Sequence, residues 1–286
     1  MPTVPYAIDV SRDEQQLARD IVPFVEPAPP KRLGGEIRQR LPAWVKRIEA
    51  KSKTNEAGLS DFTVQSLQPI DPLSDADEAV FAQFRMNRNG QAEDPAAVSN
   101  VGLGYRRLMQ PDLLVGVNGF YDRDWSDIND RVGADTELKW RALDFGFHYY
   151  VGLDGAGMPG SEQALDGYNL EVGTQIPYLP WARAQFSTRE FFRDTDENDR
   201  ANYATSVQLG LMRNLSFAAG VRGEGAVDQV GFVGVSYRFD GTPAPKLGKR
   251  YLLSTNPIAP VAFEPRDMKG HMLDKVRRIE TIPSSY

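Results

Sequence analysis

The sequence predicts an all-β fold: a twelve-stranded antiparallel barrel that crosses a membrane with strands. Three observations carry this. The first is period-two alternation, clearest in NVGLGYRRLMQPDLLVGVNGFYDRDW, residues 100–125. There Val101, Leu103 and Tyr105 share one face, and Asn100, Gly102, Gly104 and Arg106 the other. Leu113, Val115, Val117 and Tyr121 likewise oppose Gly116, Asn118, Phe120 and Asp122. Successive strand side chains point to opposite faces, so both segments read as strands. The polar face mixes Gly, Asn, Asp and Arg where a soluble sheet would carry Lys and Glu, which suits a barrel lumen. The second observation is length. Most candidates run to about ten residues, enough for a tilted strand to cross a bilayer, whereas globular strands average about five or six. The third is asymmetry of the connections. LMQPD, Arg141-Ala142, PYLP and Arg213-Asn214 are short; NRNGQAEDPAA, DRDWSDIND, DGAGMPGSEQA and FRDTDENDRAN are long, with GEGAV a short exception among them. Short turns on one rim and long loops on the other fit an outer-membrane barrel with its long loops outside the cell.

Taken in order, residues 1–43 read as a partly helical leader on the periplasmic side. Asp9 or Ser11 can cap SRDEQQLARDIVPF, which places Leu17, Ile21 and Val22 on one face. PAPPKRLGG then breaks the pattern, and GEIRQRLPAW can form a second short helix interrupted by Pro42. The barrel spans 44–240. Its strands are expected at 44–53, 61–69, 78–88, 98–108, 113–122, 131–140, 142–152, 166–176, 181–192, 202–212, 215–223 and 228–239. The first, WVKRIEAKSK, fits an amphipathic helix almost as well; an even count that closes the barrel favours the strand. Elsewhere one apolar face is clean, as in Leu143, Phe145, Phe147 and Tyr149 against Asp144, Gly146, His148 and Tyr150. Tyr121, Trp125, Trp140, Tyr149, Tyr178, Trp181, Tyr203, Tyr237 and Phe239 gather near strand ends, as interfacial girdles do. Residues 241–286 end the alternation and read as a linker or tail through or beneath the pore.

Composition sets the outer limits. The chain has 286 residues, a net charge of −6 and no Cys. The acidic balance argues against a nucleic-acid partner. Without Cys there is no disulfide framework, thiolate metal site or Cys nucleophile. A mean hydropathy of −0.44 is low for a membrane protein, yet only alternate strand residues need to meet lipid. No apolar run is long enough for a spanning helix. The start, MPTVPYAIDV, shows no basic region followed by an apolar core, so no signal peptide is read there.

The candidate functional residues are those on the Gly and Asn parity. Arg85, Asn100, Arg106, Asn118, Asp122, Arg131, Asp135, Glu137, Lys139, His148, Glu171, Arg183, Arg189, Arg222 and Arg238 are expected to line the lumen. A charge facing lipid costs about 2–4 kcal/mol at the midplane, which is why these belong inside. They are expected to pair with one another and with a linker held in the barrel; in an open pore they would select ions. Only His148 and His271 offer imidazoles, and His148 shares its face with Asp144. The acidic loops DRDWSDIND and RDTDENDR lack the spacing of a calcium loop and are interleaved with Arg. No G-x-S-x-G, H-E-x-x-H or phosphate-loop motif occurs, so no catalytic residue, metal or cofactor is expected.

The pattern Asn100-x-Gly102-x-Gly104-x-Arg106, a turn, then Gly116-x-Asn118-x-Phe120-x-Asp122 resembles the barrel domain of the intimin/invasin family, the inverse autotransporters. Arg131-x-Gly133 with Glu137, Asp166-Gly167 followed by Ile176-Pro177-Tyr178-x-Pro180, and VRRIETI near the end extend the resemblance over roughly residues 40–282. Asp135, His148 and Asn169 depart from it, standing where that family usually has Gly, often Asn and usually Asp. On this reading no passenger is expected after the tail and no peptidoglycan-binding module before the barrel. The resemblance implies a barrel in the outer membrane of a Gram-negative bacterium. It also implies a linker that runs back through the pore to present a segment outside, in the manner of type V secretion and cell adhesion. Partners would be outer-membrane lipid, the barrel assembly machinery, and a host or surface ligand at the extracellular loops. Residues 241–262 are expected inside the lumen, with Lys246, Lys249 and Arg250 meeting Asp135, Glu137 and Glu171, and Val276–Ile282 near the extracellular rim. Three other readings stay open: a porin-like channel with the tail left in the periplasm, a barrel hydrolase using His148, and a soluble β-sandwich.

Overall fold

A computed structural model describes residues 47–58, 60–70, 77–90, 96–126, 129–153, 164–192, 202–212, 214–224, 228–239 and 250–278. The leader at 1–43 lies outside the described residues. Among the described residues twelve strands follow one another: β1 (Ile48–Asn55), β2 (Ser60–Pro69), β3 (Glu78–Asn89), β4 (Ala96–Gln110), β5 (Leu113–Asp124), β6 (Asp130–Trp140), β7 (Leu143–Leu153), β8 (Gly167–Ile176), β9 (Leu179–Phe191), β10 (Asn202–Gly210), β11 (Leu215–Glu224) and β12 (Asp228–Arg238). Each pairs antiparallel with its sequence neighbours, and β1 also pairs with β12, so the barrel is closed. The seam runs from Glu49 opposite Arg238 to Asn55 opposite Phe232, and Phe239 N–H donates to Ile48 O at 3.0 Å. In lipid an open sheet edge would leave a row of unpaired N–H and C=O groups; closure removes it.

Several boundaries differ from the sequence reading. β1 is a strand but sits later, from Ile48 to Asn55; residues 44–46 lie outside the described residues. Its pattern also fits a helix, and what decides is pairing on both sides, with β2 and β12. β4 continues through Met109 to Gln110, with an irregular register between Leu108 and Gln110, so the turn contracts to Pro111-Asp112. β9 begins at Leu179 instead of residue 181, with an irregular register at Gln175/Ile176. The turn before it places Pro177 ahead of Tyr178 at φ 65°, the order of a type II turn. A bulky residue at positive φ is strained, and here two backbone bonds to the chain end hold it: Tyr178 N–H to Ala262 O and Ala259 N–H to Tyr178 O, both 2.8 Å.

The two faces segregate as the alternation requires. Val101, Leu103, Val117, Phe145, Phe147, Val233 and Val235 are exposed on the outside. Trp125, Trp140, Tyr178, Tyr237 and Phe239 are exposed close to the rims. Charges on the outward parity sit at strand ends, where they pair locally. Arg107 meets Glu78 at 3.4 Å near the short turns, and Arg123 meets Asp130 at 3.2 Å near the long loops. Such ends lie at the water interface, where long charged side chains are tolerated.

Val235 and Ser236 are adjacent on β12, one outward and exposed, the other inward beside Glu49. Val235→Arg should cost about 2–4 kcal/mol of folding stability in bilayers, while Ser236→Arg should cost far less. Heat-modifiable gel migration of the two variants checks this; equal losses would contradict the assignment of faces.

Candidate functional site

The lumen wall is built from cross-strand neighbours on the polar parity. Arg85, Asn100, Arg106, Asn118, Asp122, Arg131, Asp135, Lys139, His148 and Arg183 are buried; Glu137, Glu171, Arg189, Arg222 and Arg238 are half-buried. Asn100, Asp122 and Arg131 stand in one row across β4, β5 and β6. The Asn100 amide donates to Asp122, and Arg131 grips the other Asp122 oxygen through Nε at 3.0 Å and Nη2 at 2.8 Å. Three inward rows nearer the short turns, Arg106 and Glu137 flank Gly116 of β5. A Cβ on Gly116 would lie 2.9 Å from Arg106 Cγ, so the missing side chain is what lets Arg106 reach across. Arg106 Nη2 then holds both Glu137 oxygens at 2.9 and 3.0 Å, and Asn118 donates to Glu137 at 2.8 Å. Asp135, His148 and Asn169 form a single row across β6, β7 and β8.

The tail completes this wall. From 250 to 263 the chain follows the short-turn rim: Leu252 and Leu253 N–H donate to Gly210 and Leu211 O, and Trp181 Nε1 donates to Pro257 O. Arg266 bonds Arg141 O at 3.0 Å and Asp144 at 2.8 Å, and Met268 N–H meets Pro111 O. A short 3-10 helix, Met268–His271, turns the chain inward, with the Asp267 carboxylate accepting from Lys269 N–H at its start. The chain then rises through the lumen. Met268 and Met272 pack on Ala79 and Leu114, and Val276 packs on Leu67, Phe81 and Phe120. Arg106 Nη1 donates to the carbonyls of Met272 and Asp274, and Lys139 meets Asp274 at 2.8 Å. Gln83 brackets Val276, accepting from its N–H at 2.8 Å and donating to its O at 3.1 Å.

Arg278 is the last described residue. It donates to Asp122 at 2.7 Å and forms an ion pair with Asp135 at 3.1 Å, and its guanidinium lies 4.2 Å over the Phe120 ring and 5.0 Å over Tyr150. Its side chain is fully buried. Gly133 makes room for it, since a Cβ there would stand 2.3 Å from Arg278 Nη2. Arg85 donates to the Arg278 carbonyl at 3.2 Å.

The expectation that 241–262 fills the lumen is therefore corrected. Residues 250–262 lie on the rim, 241–249 are outside the described residues, and the segment inside is Met268–Arg278. Arg250 meets Glu264 at 3.0 Å and not a lumen carboxylate; Lys246 and Lys249 are outside the described residues. Proline content favours an extended chain, but the lumen selects by pairing, and among the described residues of the tail only Met268–Arg278 brings a cation to Asp122 and Asp135 together with apolar groups for Phe81 and Leu114. The sequence carried a signal for this. Leu67, Phe81, Leu114 and Phe120 are apolar on the polar parity, which asks for an apolar partner inside.

His148 lies 3.2 Å from Asp135 and stacks on Tyr150, with both groups buried. No Ser or Thr hydroxyl bonds it among the described residues, so no nucleophile–base pair is assembled there. Among the described residues no three His, Asp or Glu side chains converge as metal ligands.

The family model described as "Inverse autotransporter, beta-domain" matches residues 10–280. The curated relative "Putative attaching and effacing protein homolog" of Escherichia coli (strain K12) is 23% identical over 186 residues. That match covers 60% of this chain and 61% of the relative, so the chain spans less than two thirds of its length. A solved structure from work on in-meso crystallization of membrane proteins superposes with a TM-score of 0.61 at 17% identity, over 82% of this chain and 98% of that one. The KdgM porin in complex with disordered oligogalacturonate reaches a TM-score of 0.46 at 10% identity, over 66% of this chain and 97% of the porin. At these identities the likeness concerns the fold alone.

Arg278→Ala removes the shared cation from two buried carboxylates and should cost about 3–5 kcal/mol of unfolding free energy. Adding Asp135→Asn should recover part of that loss, because it removes one orphaned charge. Denaturant titration of the single and double variants measures both; additive losses would deny the contact.

Proposed function

This chain belongs to the inverse autotransporter β-domain family, and from that premise we propose that its barrel carries its own C-terminal segment through the lumen and holds it there. It is an outer-membrane translocator and anchor of a Gram-negative bacterium. In the proposed orientation the short turns and the 250–263 belt face the periplasm, and the long loops face outward. The tail enters beside Pro111, rises along β3 to β6, and leaves past Arg278 toward the cell surface. The observation that carries this reading is Arg278 seated between Asp122 and Asp135. Asp122 lies only two positions from Asp124, the loop end of β5. The barrel assembly machinery would insert the strands, and surface ligands would meet the loops and the exported segment. Adhesion is the use suggested by the name of the attaching and effacing relative.

The same geometry disfavours enzymatic hydrolysis. His148 is buried, 3.2 Å from Asp135 and stacked on Tyr150, and among the described residues no Ser or Thr hydroxyl bonds it as a nucleophile would. We therefore favour a barrel that acts by holding a chain.

On intact cells, an impermeant thiol reagent should label Cys introduced at Ser126 in a long loop and at Ser285 beyond Arg278. Cys at Phe263, on the short-turn rim, should stay unlabelled until the cells are opened. Labelling at Phe263 with none at Ser126 would invert the orientation; labelling at Ser126 but never at Ser285 would leave the tail beneath the pore.

A further inference from the structure

The tail does not fill the lumen evenly. It packs on β2 to β7, where Leu67, Gln83, Arg106, Asp122, Asp135 and Lys139 are all buried. Toward the opposite wall it sends only long side chains: Lys275 to Glu49 at 2.7 Å, and Arg277 toward Gly173, 3.4 Å from the position of an added Cβ. On that wall most inward positions are small; the longer Gln208 is turned along the wall, bonding Gln185 at 3.4 Å and Ser216 at 3.3 Å, and Phe232 lies over Gly220. β10 presents Ala204, Ser206 and Gly210; β11 presents Ser216, Ala218 and Gly220. From Ser216 to Arg222 every inward residue of β11 is only half-buried, so water reaches this wall along its height. Side chains this short cannot cross to the tail.

The charge of this space is one-sided. On the inward parity of β9 to β12, the described charged side chains are Arg183, Arg189, Arg222 and Arg238. Arg183 is committed to Asp144 at 2.5 Å. At the neighbouring edge, Glu49 stands opposite Arg238 and is shared by Lys275 at 2.7 Å and by Lys51 at 3.8 Å, so one carboxylate meets three cations. In the backbone register Glu224 pairs with Asp228 at the hairpin end of β11 and β12. The cavity on the other flank differs: Glu137, Asp144 and Glu171 balance Lys139, Lys275 and Arg277 there.

We infer that the barrel keeps an anion-conducting cleft beside its tail, between Met268–Arg278 and the inner wall of β10 to β12, with Arg222 and Arg238 setting the selectivity. A water-filled path walled by low-dielectric protein and lined by fixed cations concentrates anions and excludes cations. The ligand class is a small hydrated inorganic anion, chloride being the simplest. The inference uses the barrel and the seated tail, and does not depend on export of a passenger.

The test uses the full chain, in planar bilayers fused with proteoliposomes of known protein content under a potassium chloride gradient. Wild-type protein is expected to give a steady small conductance whose reversal potential lies on the chloride side. Arg222→Glu with Arg238→Glu should move the reversal potential to the potassium side while heat-modifiable migration is retained. If that pair fails to assemble, Arg222→Gln with Arg238→Gln should bring the reversal potential toward zero. Absence of current from protein-bearing membranes would overturn the inference, and so would a reversal potential that neither substituted pair moves.

Discussion

Lipid offers no partner for a backbone N–H or C=O, and almost none for a charge. Everything else in this structure follows from that constraint. The backbone meets it by closing β1 onto β12, which leaves no sheet edge. The side chains meet it by parity, sending Asn, Asp, Glu, Arg and Lys inward. The consequence is a lumen crowded with charges that have themselves left bulk water, and burial makes an unpaired charge costly. Rows of cross-strand neighbours supply part of the answer, as Asn100, Asp122 and Arg131 do. The tail supplies the rest. Asp122 and Asp135 share Arg278, and Asp274 brings a carboxylate to Lys139.

Buried ion pairs are weak evidence for net stability, because desolvation consumes much of the Coulombic gain, but breaking one is expensive. Their effect here is positional. A shift of the tail along the lumen would separate Arg278 from both carboxylates and Val276 from Gln83 at once. Glycine makes the fit possible. Gly116 lets Arg106 and Glu137 meet, and Gly133 admits the Arg278 guanidinium. The lumen beside β3 to β6 is thus a packed interior whose last component is the tail, whereas the wall of β10 to β12 is only lined.

Much of the fold was legible in the sequence because a membrane barrel writes its constraint locally: each strand must alternate, and each turn must be short on one rim. The Val117 and Asn118 faces, the long and short connections and the inward set around Arg106 could be read in that way. β1 was ambiguous, since WVKRIEAKSK satisfies two periodicities and only pairing on both edges decides. The tail was misplaced for a different reason. Whether 241–262 or 268–278 enters the lumen depends on contacts between residues far apart in sequence, such as Arg278 with Asp122 and Gln83 with Val276. Local pattern favoured the proline-rich stretch. The apolar intruders on the polar parity, Phe81 and Leu114 among them, held the missing information.

The central claim is that Met268–Arg278 is a fixed part of the lumen. Hydrogen exchange of the full-length protein in detergent, followed by peptide mass spectrometry, tests it most directly. Val276 N–H is held by buried Gln83, and the peptide is enclosed by β3 to β6. The account predicts that the amides around Val276 exchange on the slow timescale of the β4 and β5 strand peptides. Exchange of that peptide at the rate of an unstructured chain, with the strands still protected, would contradict it.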